Sequence, residues 1–411
     1  THTLETMAVE IARKHEAIAK ELVSDSALAR KALMRINELL DEVVNLCKAI
    51  AILGESTPRV MDNIASAGER MCIPLLAAAL QSAGIAAEPV EATRLIVTDD
   101  HYMDAHPDYE KTKKNCKDVL NPILESGAVP VITGFLAATE KGNITTLGRG
   151  GSDYSAALIG AALPADDVWI YTDVNGVMTA DPRLVPNAAT VPICSYREVS
   201  ELAYYGAKVL HPKTIRPVIE AGIGLRVCNT FQPEHPGTRL VSELTAEHYV
   251  IKAITTVRGL KLITLEGRGM LGVPGVAAKT FDTVAKLGTS VPMITQASSE
   301  QSICFAVPAD CADLVVEKLT KAFAVEIERR DIDSVWATEE VGIVTVVGEG
   351  MRSTPGIAGR VFTALGNNKV NVVAIAQGSS EVAISLVVTA ADLQQALRIL
   401  HELIQKSQPA S

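Results

Sequence analysis

Two stretches of this chain repeat one another, and that repeat restricts the fold more than any other feature. The first runs Gly269-Met270-Leu271-Gly272-Val273-Pro274-Gly275-Val276-Ala277 and, after a helical stretch, Ile294-Thr295-Gln296-Ala297-Ser298-Ser299-Glu300. The second runs Gly350-Met351-Arg352-Ser353-Thr354-Pro355-Gly356-Ile357-Ala358 and then Ile375-Ala376-Gln377-Gly378-Ser379-Ser380-Glu381. Pro-Gly, Gln and Ser-Ser-Glu recur at equal offsets, the mark of two copies of one supersecondary unit. Each copy reads strand, helix, strand, strand, helix, as in a ferredoxin-like βαββαβ module. Val325–Ile332 is the expected fourth strand of the first copy. The second copy ends on a helix and Gln405–Ser411, which offers no strand. Tyr249–Ile254 is a strand without a partner ahead of the first copy, and is expected to complete one module out of sequence order.

Upstream of residue 232 the texture differs. Residues 1–50 carry helical periodicity without glycine or proline, and fit two helices broken near Ser24-Asp25-Ser26. Leu75–Ala83 reads as a helix stopped by Gly84, and Lys111–Leu124 as another. Gly127–Thr133 reads as a buried strand, and Val168–Tyr171 and Leu225–Val227 as short strands. Ser195-Tyr196-Arg197-Glu198 is a capping box opening a helix to about Tyr205, and Pro212 opens one that Gly222 ends. Strands alternating with helices predict an α/β open sheet with helices on both faces, and such sheets bind ligands beyond the carboxyl ends of their strands. Residues 232–248, with Pro233, Pro236 and Gly237, read as a linker. The expected division is therefore 1–231, the linker, a first module over 249–340 and a second over 341–411.

Hydrophobic residues make up 48% of the 411 residues but aromatics only 4%, so the core is aliphatic. A net charge of −10 argues against nucleic acid or an anionic membrane as the main partner. No apolar run is long enough to span a bilayer. The seven cysteines are scattered without a C-x-x-C pair, which favours reduced thiols in a cytosolic protein. Neither cysteines nor histidines form a metal-ligating pattern, and no metal is assigned to protein ligands.

The segment Thr145-Thr146-Leu147-Gly148-Arg149-Gly150-Gly151-Ser152-Asp153-Tyr154-Ser155 precedes an apolar helix-like run, Ala156–Ala162. Its glycines let backbone N–H groups approach a ligand closely. Ser152 or Asp153 is the expected N-cap, the helix start attracts anions, and Arg149 adds a planar charged fork. Taken alone, the segment reads as an ordinary glycine-rich turn or as a small-anion site.

Four motifs taken together resemble aspartate kinase. They are Thr145–Ser155, Tyr171-Thr172-Asp173-Val174-Asn175-Gly176-Val177, Asp181-Pro182-Arg183 and Gly206-Ala207-Lys208-Val209-Leu210-His211-Pro212. The paired repeats are similar to the tandem ACT domains of that family. The resemblance runs from about residue 50 to the C-terminus. It implies an amino-acid-kinase fold, transfer of phosphate from ATP with Mg2+ to the side-chain carboxylate of L-aspartate, and feedback inhibition by a pathway amino acid. By motif match Arg149 and Ser152 would hold the aspartate carboxylates, and Glu69, in Ser66-Ala67-Gly68-Glu69-Arg70, its α-ammonium. Asp153 would orient the basic groups, and Thr172, Asp173, Met178 and Arg183 would bind ATP. Lys208 would face the phosphates. Gly275, Val276 and Ala277, with Gln296 and Gln377, resemble an effector site. The Ile-Thr-Gln-Ala-Ser-Ser-Glu wording leans toward threonine over lysine. ACT modules pair side by side, so a homo-oligomer is expected.

The chain departs from the family pattern in two places. Met178 stands where tyrosine is common, which keeps an apolar surface and loses a hydroxyl. The family also begins with a strand and a Lys-Phe-Gly-Gly-Thr-Ser loop that supplies a phosphate lysine. Nothing like it follows Thr1, and a sheet without that strand exposes two edges. A segment bearing it is expected ahead of Thr1. The alternative is a regulatory protein that senses amino acids through a dead kinase domain. A third reading, acetylglutamate or glutamate kinase, sits poorly with Ser-Ala-Gly-Glu-Arg and the paired repeats. A homoserine dehydrogenase domain, fused after the second repeat in some relatives, is not expected.

Overall fold

Asp25 divides the helical N-terminal region: its carboxylate accepts the N–H groups of Ala27 and Leu28 and opens a new helix. The structure, a computed structural model, describes all residues except 1, 208, 209, 211, 243–249, 271, 272, 297–300, 379 and 406–411. It comprises two units. One is Thr1–Ile170 with Leu210–Arg226, the other Tyr171–Val209 with Val227–Ser411.

In the first unit, helices α1 (His2–Leu22), α2 (Ser26–Leu53) and α3 (Pro58–Ser82) pack on one another. Sequence periodicity placed only Leu75–Ala83 in α3. The helix starts much earlier, at the Thr57 cap, and continues through Pro74. An interior proline costs about 3 kcal/mol. Here Ala67, Met71, Leu75 and Ala78 bury one face against Ile36 and Leu39, which offsets that cost. Strand β1 (Ala87–Val90) pairs parallel with β3 (Val129–Ile132). Strands β2 (Val97–Thr98), β4 (Leu136–Thr139) and β5 (Ile144–Thr146) form a second small sheet. Helices α4 (Tyr109–Glu125) and α5 (Gly151–Ala162) cover a core of Leu95, Ile96, Leu120, Leu136, Leu147 and Leu158. Helix α7 (Pro212–Ala221) packs on α5.

Strands β6 (Asp167–Thr172) and β8 (Gly224–Asn229) contain two of the chain's three passages between units. With β7 (Ile193–Ser195) and β9 (Thr238–Val241) they lie in the order β6-β8-β9-β7. The stretch 232–248, read as a linker, therefore contributes a strand. Thr238 anchors it by donating its hydroxyl to Val191 O and accepting the Val177 N–H. The Ser195–Glu198 capping box is formed, and opens α6 (Tyr196–Tyr204).

Both repeats lie in the second unit and share one seven-stranded sheet. Its strands are β10 (Ala253–Glu266), β11 (Met293–Gln296), β12 (Ser302–Pro308), β13 (Ser334–Ala337), β14 (Val341–Val347), β15 (Ala374–Gln377) and β16 (Ala383–Thr389). Its helices are α8 (Val276–Ala285), α9 (Ala312–Ala322), α10 (Ala324–Glu328), α11 (Ile357–Asn367) and α12 (Leu393–Gln405). The order is β11-β12-β10-β14-β16-β15, with β13 also on β10. Strand β10 serves both copies. Leu260–Glu266 pairs with β12, with Ile263–Glu266 also on β13, whereas Ala253–Val257 pairs with β14. Residues 253–257 thus give the second copy its fourth strand out of sequence order; Tyr249 lies outside the described residues.

Val325–Ile332 is not the first copy's fourth strand. Its Val-Glu-Ile-Glu alternation lies in α10, held by the Phe323 carbonyl accepting the Ile327 N–H and by Glu326 paired with Lys279. The strand is β13, a few residues later.

Candidate active site

Beyond β5 the chain turns through Gly148 and Gly150, at φ 72° and 69°. Only glycine adopts these angles at little cost. The turn starts α5 at Gly151, so Gly150 is the N-cap and no side chain caps this helix among the described residues. The expected cap at Ser152 or Asp153 is therefore corrected: the left-handed glycines begin the helix before either residue. Ser152 and Asp153 lie in its first turn, where N–H groups have no intrahelical acceptor and the helix end is positive. Arg149 and Ser152 are exposed. Asp153 is half-buried, and that burial raises its carboxyl above the ordinary range.

Glu69 reaches the same place from α3. Its carboxylate accepts the Gly134 N–H at 3.3 Å. Gly134 lies hard against Ser152; a Cβ there would stand 2.9 Å from the Ser152 Cβ. Next to it, Phe135 donates its N–H to Ser155 Oγ of α5 at 2.9 Å. The neighbouring Arg70 serves elsewhere, paired with Glu91 at 3.1 Å and Glu42 at 3.4 Å. Glu69, Arg149, Ser152 and Asp153 thus share one region of the first unit, with Gly134 joining Glu69 to Ser152. The sequence reading missed Gly134; its signal was a glycine directly after the expected strand Gly127–Thr133, which is less buried than expected, with only Val131 of Val129–Ile132 buried.

The nucleotide-side candidates belong to the second unit. Thr172 ends β6 and donates its hydroxyl to Asp173 at 3.1 Å, while its carbonyl accepts the Thr230 N–H. Met178 is half-buried and bridges to Thr190. Arg183 grips Asp181 with two bonds, Nε to Oδ1 at 3.0 Å and Nη2 to Oδ2 at 2.7 Å. Arg183 holds the Asp181 carboxyl below the ordinary range. Asp181-Pro182-Arg183 is thus a closed turn here, with the guanidinium committed to it. Lys208 lies outside the described residues.

In the repeats, Gly275 (φ 93°) opens α8 and Gly356 (φ 86°) opens α11, so Val276 and Ala277 sit in a first helical turn. Gln296 and Gln377 are exposed and end β11 and β15, the outer strands of the sheet, which lie against each other. Among the described residues no His, Cys, Asp and Glu group is arranged to hold a metal, and no helix is long and apolar enough to cross a membrane. None of the seven cysteines forms a disulfide.

The sequence profile of the amino acid kinase family matches residues 5–229, and that of the ACT domain matches 263–323 and 344–403. Aspartokinase 2, chloroplastic, of Arabidopsis thaliana is 33% identical across 96% of this chain and 72% of its own length. The chain belongs to the aspartokinase family. The bifunctional aspartokinase/homoserine dehydrogenase of Haemophilus influenzae is 36% identical over 363 residues, 88% of this chain. The match takes in 44% of that relative, so the chain spans less than half of it. Among solved aspartokinases, E. coli aspartokinase III in complex with aspartate and ADP (R-state) superposes with a TM-score of 0.76. Its identity is 29%, over 96% of this chain and 86% of that one. Clostridium acetobutylicum aspartate kinase follows at 0.75, with 30% identity over 90% and 79%. The fold is the aspartokinase fold: an amino acid kinase region followed by ACT domains.

Proposed function

We propose that this member of the aspartokinase family is an aspartate kinase, transferring the γ-phosphoryl group of ATP to the side-chain carboxylate of L-aspartate to give 4-phospho-L-aspartate. The observation that carries the reading is the meeting of Glu69 and Ser152 at Gly134, beside Arg149 and the start of α5. A small amino acid with two carboxylates needs one anionic contact for its ammonium, and a guanidinium fork and helix start for its carboxylates. The E. coli relative in complex with aspartate and ADP supports it.

An aspartate carboxylate, with a pKa near ~4, is ionised at neutral pH and needs no general base. The work left to the protein is positioning and charge stabilisation. In this reading Arg149 and Ser152 hold the carboxylates, Glu69 the ammonium, and Asp153 orients the basic groups. Thr172, Asp173, Met178 and Arg183 take ATP, which enters as its Mg2+ complex, and Lys208 faces the phosphates. Arg183 must first release Asp181. The proposed effector is threonine rather than lysine, bound by Gly275, Val276, Ala277, Gln296 and Gln377, in a cytosolic homo-oligomer joined through the ACT domains. E. coli aspartokinase III in complex with lysine and aspartate (T-state) supports an amino acid in the regulatory role.

The test is ATP-dependent formation of aspartyl hydroxamate by the full-length protein, with glutamate as control and with threonine or lysine added. Turnover of aspartate alone, reduced by threonine, is expected; no turnover of aspartate ends the proposal. Gly134→Ala is expected to push Ser152 away and raise the KM for aspartate by about tenfold, a loss in the range that overpacking produces. The KM for ATP should stay unchanged, and steady-state kinetics checks both.

A further inference from the structure

We propose that Asp62 is the positioning residue of the glycine segment, fixing its base to α3 and so setting where Arg149 stands relative to Glu69. This deepens, and rests on, the reading of Glu69, Arg149 and Ser152 as the aspartate-binding set. Asp62 is only 1% exposed. A carboxylate that deep is costly unless donors surround it, and its donors among the described residues come from the end of β5 and from the loop at Met103. Its Oδ1 accepts the Thr146 hydroxyl at 2.7 Å, and its Oδ2 the Thr146 N–H at 3.2 Å. The Met103 N–H reaches both oxygens, at 3.1 and 3.0 Å.

Thr146 is the last residue of β5, three before Arg149. Met103 sits at φ 73°, a strained angle for methionine that persists only where its surroundings hold it. The loop it belongs to also grips the glycine segment directly. Ala105 donates its N–H to the Thr146 carbonyl at 2.9 Å, and a Cβ on Gly148 would stand 2.5 Å from Asp104 Oδ1. Asp104 in turn binds Lys213 Nζ at 2.6 Å.

Asp62, Ser66 and Glu69 are spaced i, i+4, i+7, so they line one face of α3. Asp62 and Glu69 are about 10 Å apart along a rigid axis. One end holds the root of the segment that carries Arg149. The other gives Glu69, which holds Gly134 against Ser152. Hydrogen bonds to a carboxylate are about twice as strong as neutral ones, which suits a residue whose job is to keep a binding fork still. Asp62 touches no proposed substrate atom, so it positions and does not catalyse.

Asp62→Asn, Thr146→Val and Thr146→Ser in the full-length protein separate this role from simple stability. Hydrogen exchange of the 144–151 amides reads the segment itself, and steady-state kinetics read its consequence. Asp62→Asn is expected to speed that exchange and raise the KM for aspartate, each by about tenfold, with the KM for ATP within about twofold. Thr146→Val should show a smaller change of the same kind, and Thr146→Ser should restore wild-type behaviour. Unchanged exchange, or equal rises in both KM values, overturns the proposal. If Asp62→Asn does not fold, Thr146→Val decides: wild-type exchange and KM values would overturn it. A wild-type protein that does not turn over aspartate removes the proposed function, and the exchange data still decide whether Asp62 fixes the segment.

Discussion

Arg149→Ala is expected to lower kcat/KM for aspartate by about a thousandfold while leaving the fold intact. The side chain is exposed, and exposed substitutions change stability by only about 0.5 kcal/mol. Its proposed partner is a substrate carboxylate at the start of α5, where backbone N–H groups already favour negative charge. Truncating one partner of a hydrogen-bonded charge pair costs about 2–5 kcal/mol, and a thousandfold corresponds to about 4 kcal/mol. Arg149→Lys should recover only part of the loss, because a point charge does not replace a planar fork. The KM for ATP and the thermal midpoint should both stay near wild type. Kinetics with aspartate varied at saturating ATP checks this; a change under about tenfold would remove Arg149 from the substrate site.

Lys252→Met is expected to destabilise the second unit by about 3–5 kcal/mol, the range for leaving a buried charge without its partner. Lys252 is 2% exposed and Glu198 fully buried. Lys252 Nζ lies 3.0 Å from Glu198 Oε2 and donates to the Ile193 carbonyl at 3.0 Å. Glu198 also accepts the Ser195 N–H at 2.8 Å and the Glu349 N–H at 2.7 Å. One carboxylate therefore joins the capping box of α6, the residue before β10 and the turn after β14. Pairing both residues away, in Lys252→Met with Glu198→Leu, should be milder than Lys252→Met alone, since it leaves no orphaned charge. Thermal unfolding followed by tryptophan fluorescence and calorimetry checks the order; equal midpoints for wild type and Lys252→Met would refute it.

The same region links the segment proposed to bind ATP to the ACT sheet by other bonds of the second unit. Ile254 donates its N–H to the Thr179 carbonyl at 2.8 Å, and Thr179 Oγ1 lies 2.9 Å from His401 Nε2 of α12. Burial keeps His401 below its ordinary pKa. Ala180 and Val185 share a core with Ile254, Val346 and Leu397. Lys252→Met is therefore also expected to raise the KM for ATP more than that for aspartate.

Much of the architecture was legible in residue order, and the legible parts have one thing in common. The Asp25 cap, the Ser195–Glu198 box, the Pro212 helix start and the two Pro-Gly repeat openings are encoded within a turn or two of chain. Caps, periodicity and turn glycines act at that range, so their chemistry is visible without knowing what lies across from them. The same holds for the glycine segment, whose composition announces a tight turn into a helix before its neighbours are known.

What residue order misread depends on distant partners. Alternation at Val325–Ile332 looks like a strand, yet Lys279 and the end of α9 hold Ala324–Glu328 as a helix. Thr238–Val241 looks like linker until Val191 and Val177 supply its bonds. The N-cap of α5 fell to Gly150 because backbone angles, not side-chain polarity, ended the turn. Nothing in residue order singles out Asp62; its donor Thr146 is 84 residues away. A carboxylate's meaning comes from which groups desolvate it and which donors reach it, and neither is a property of its immediate neighbours in the chain. The kinds of element, the two copies and the glycine turn were therefore written locally. Folding had to settle which copy owns the first part of β10 and that Gly134 brings Glu69 to Ser152, because both arise from close packing between segments remote in sequence.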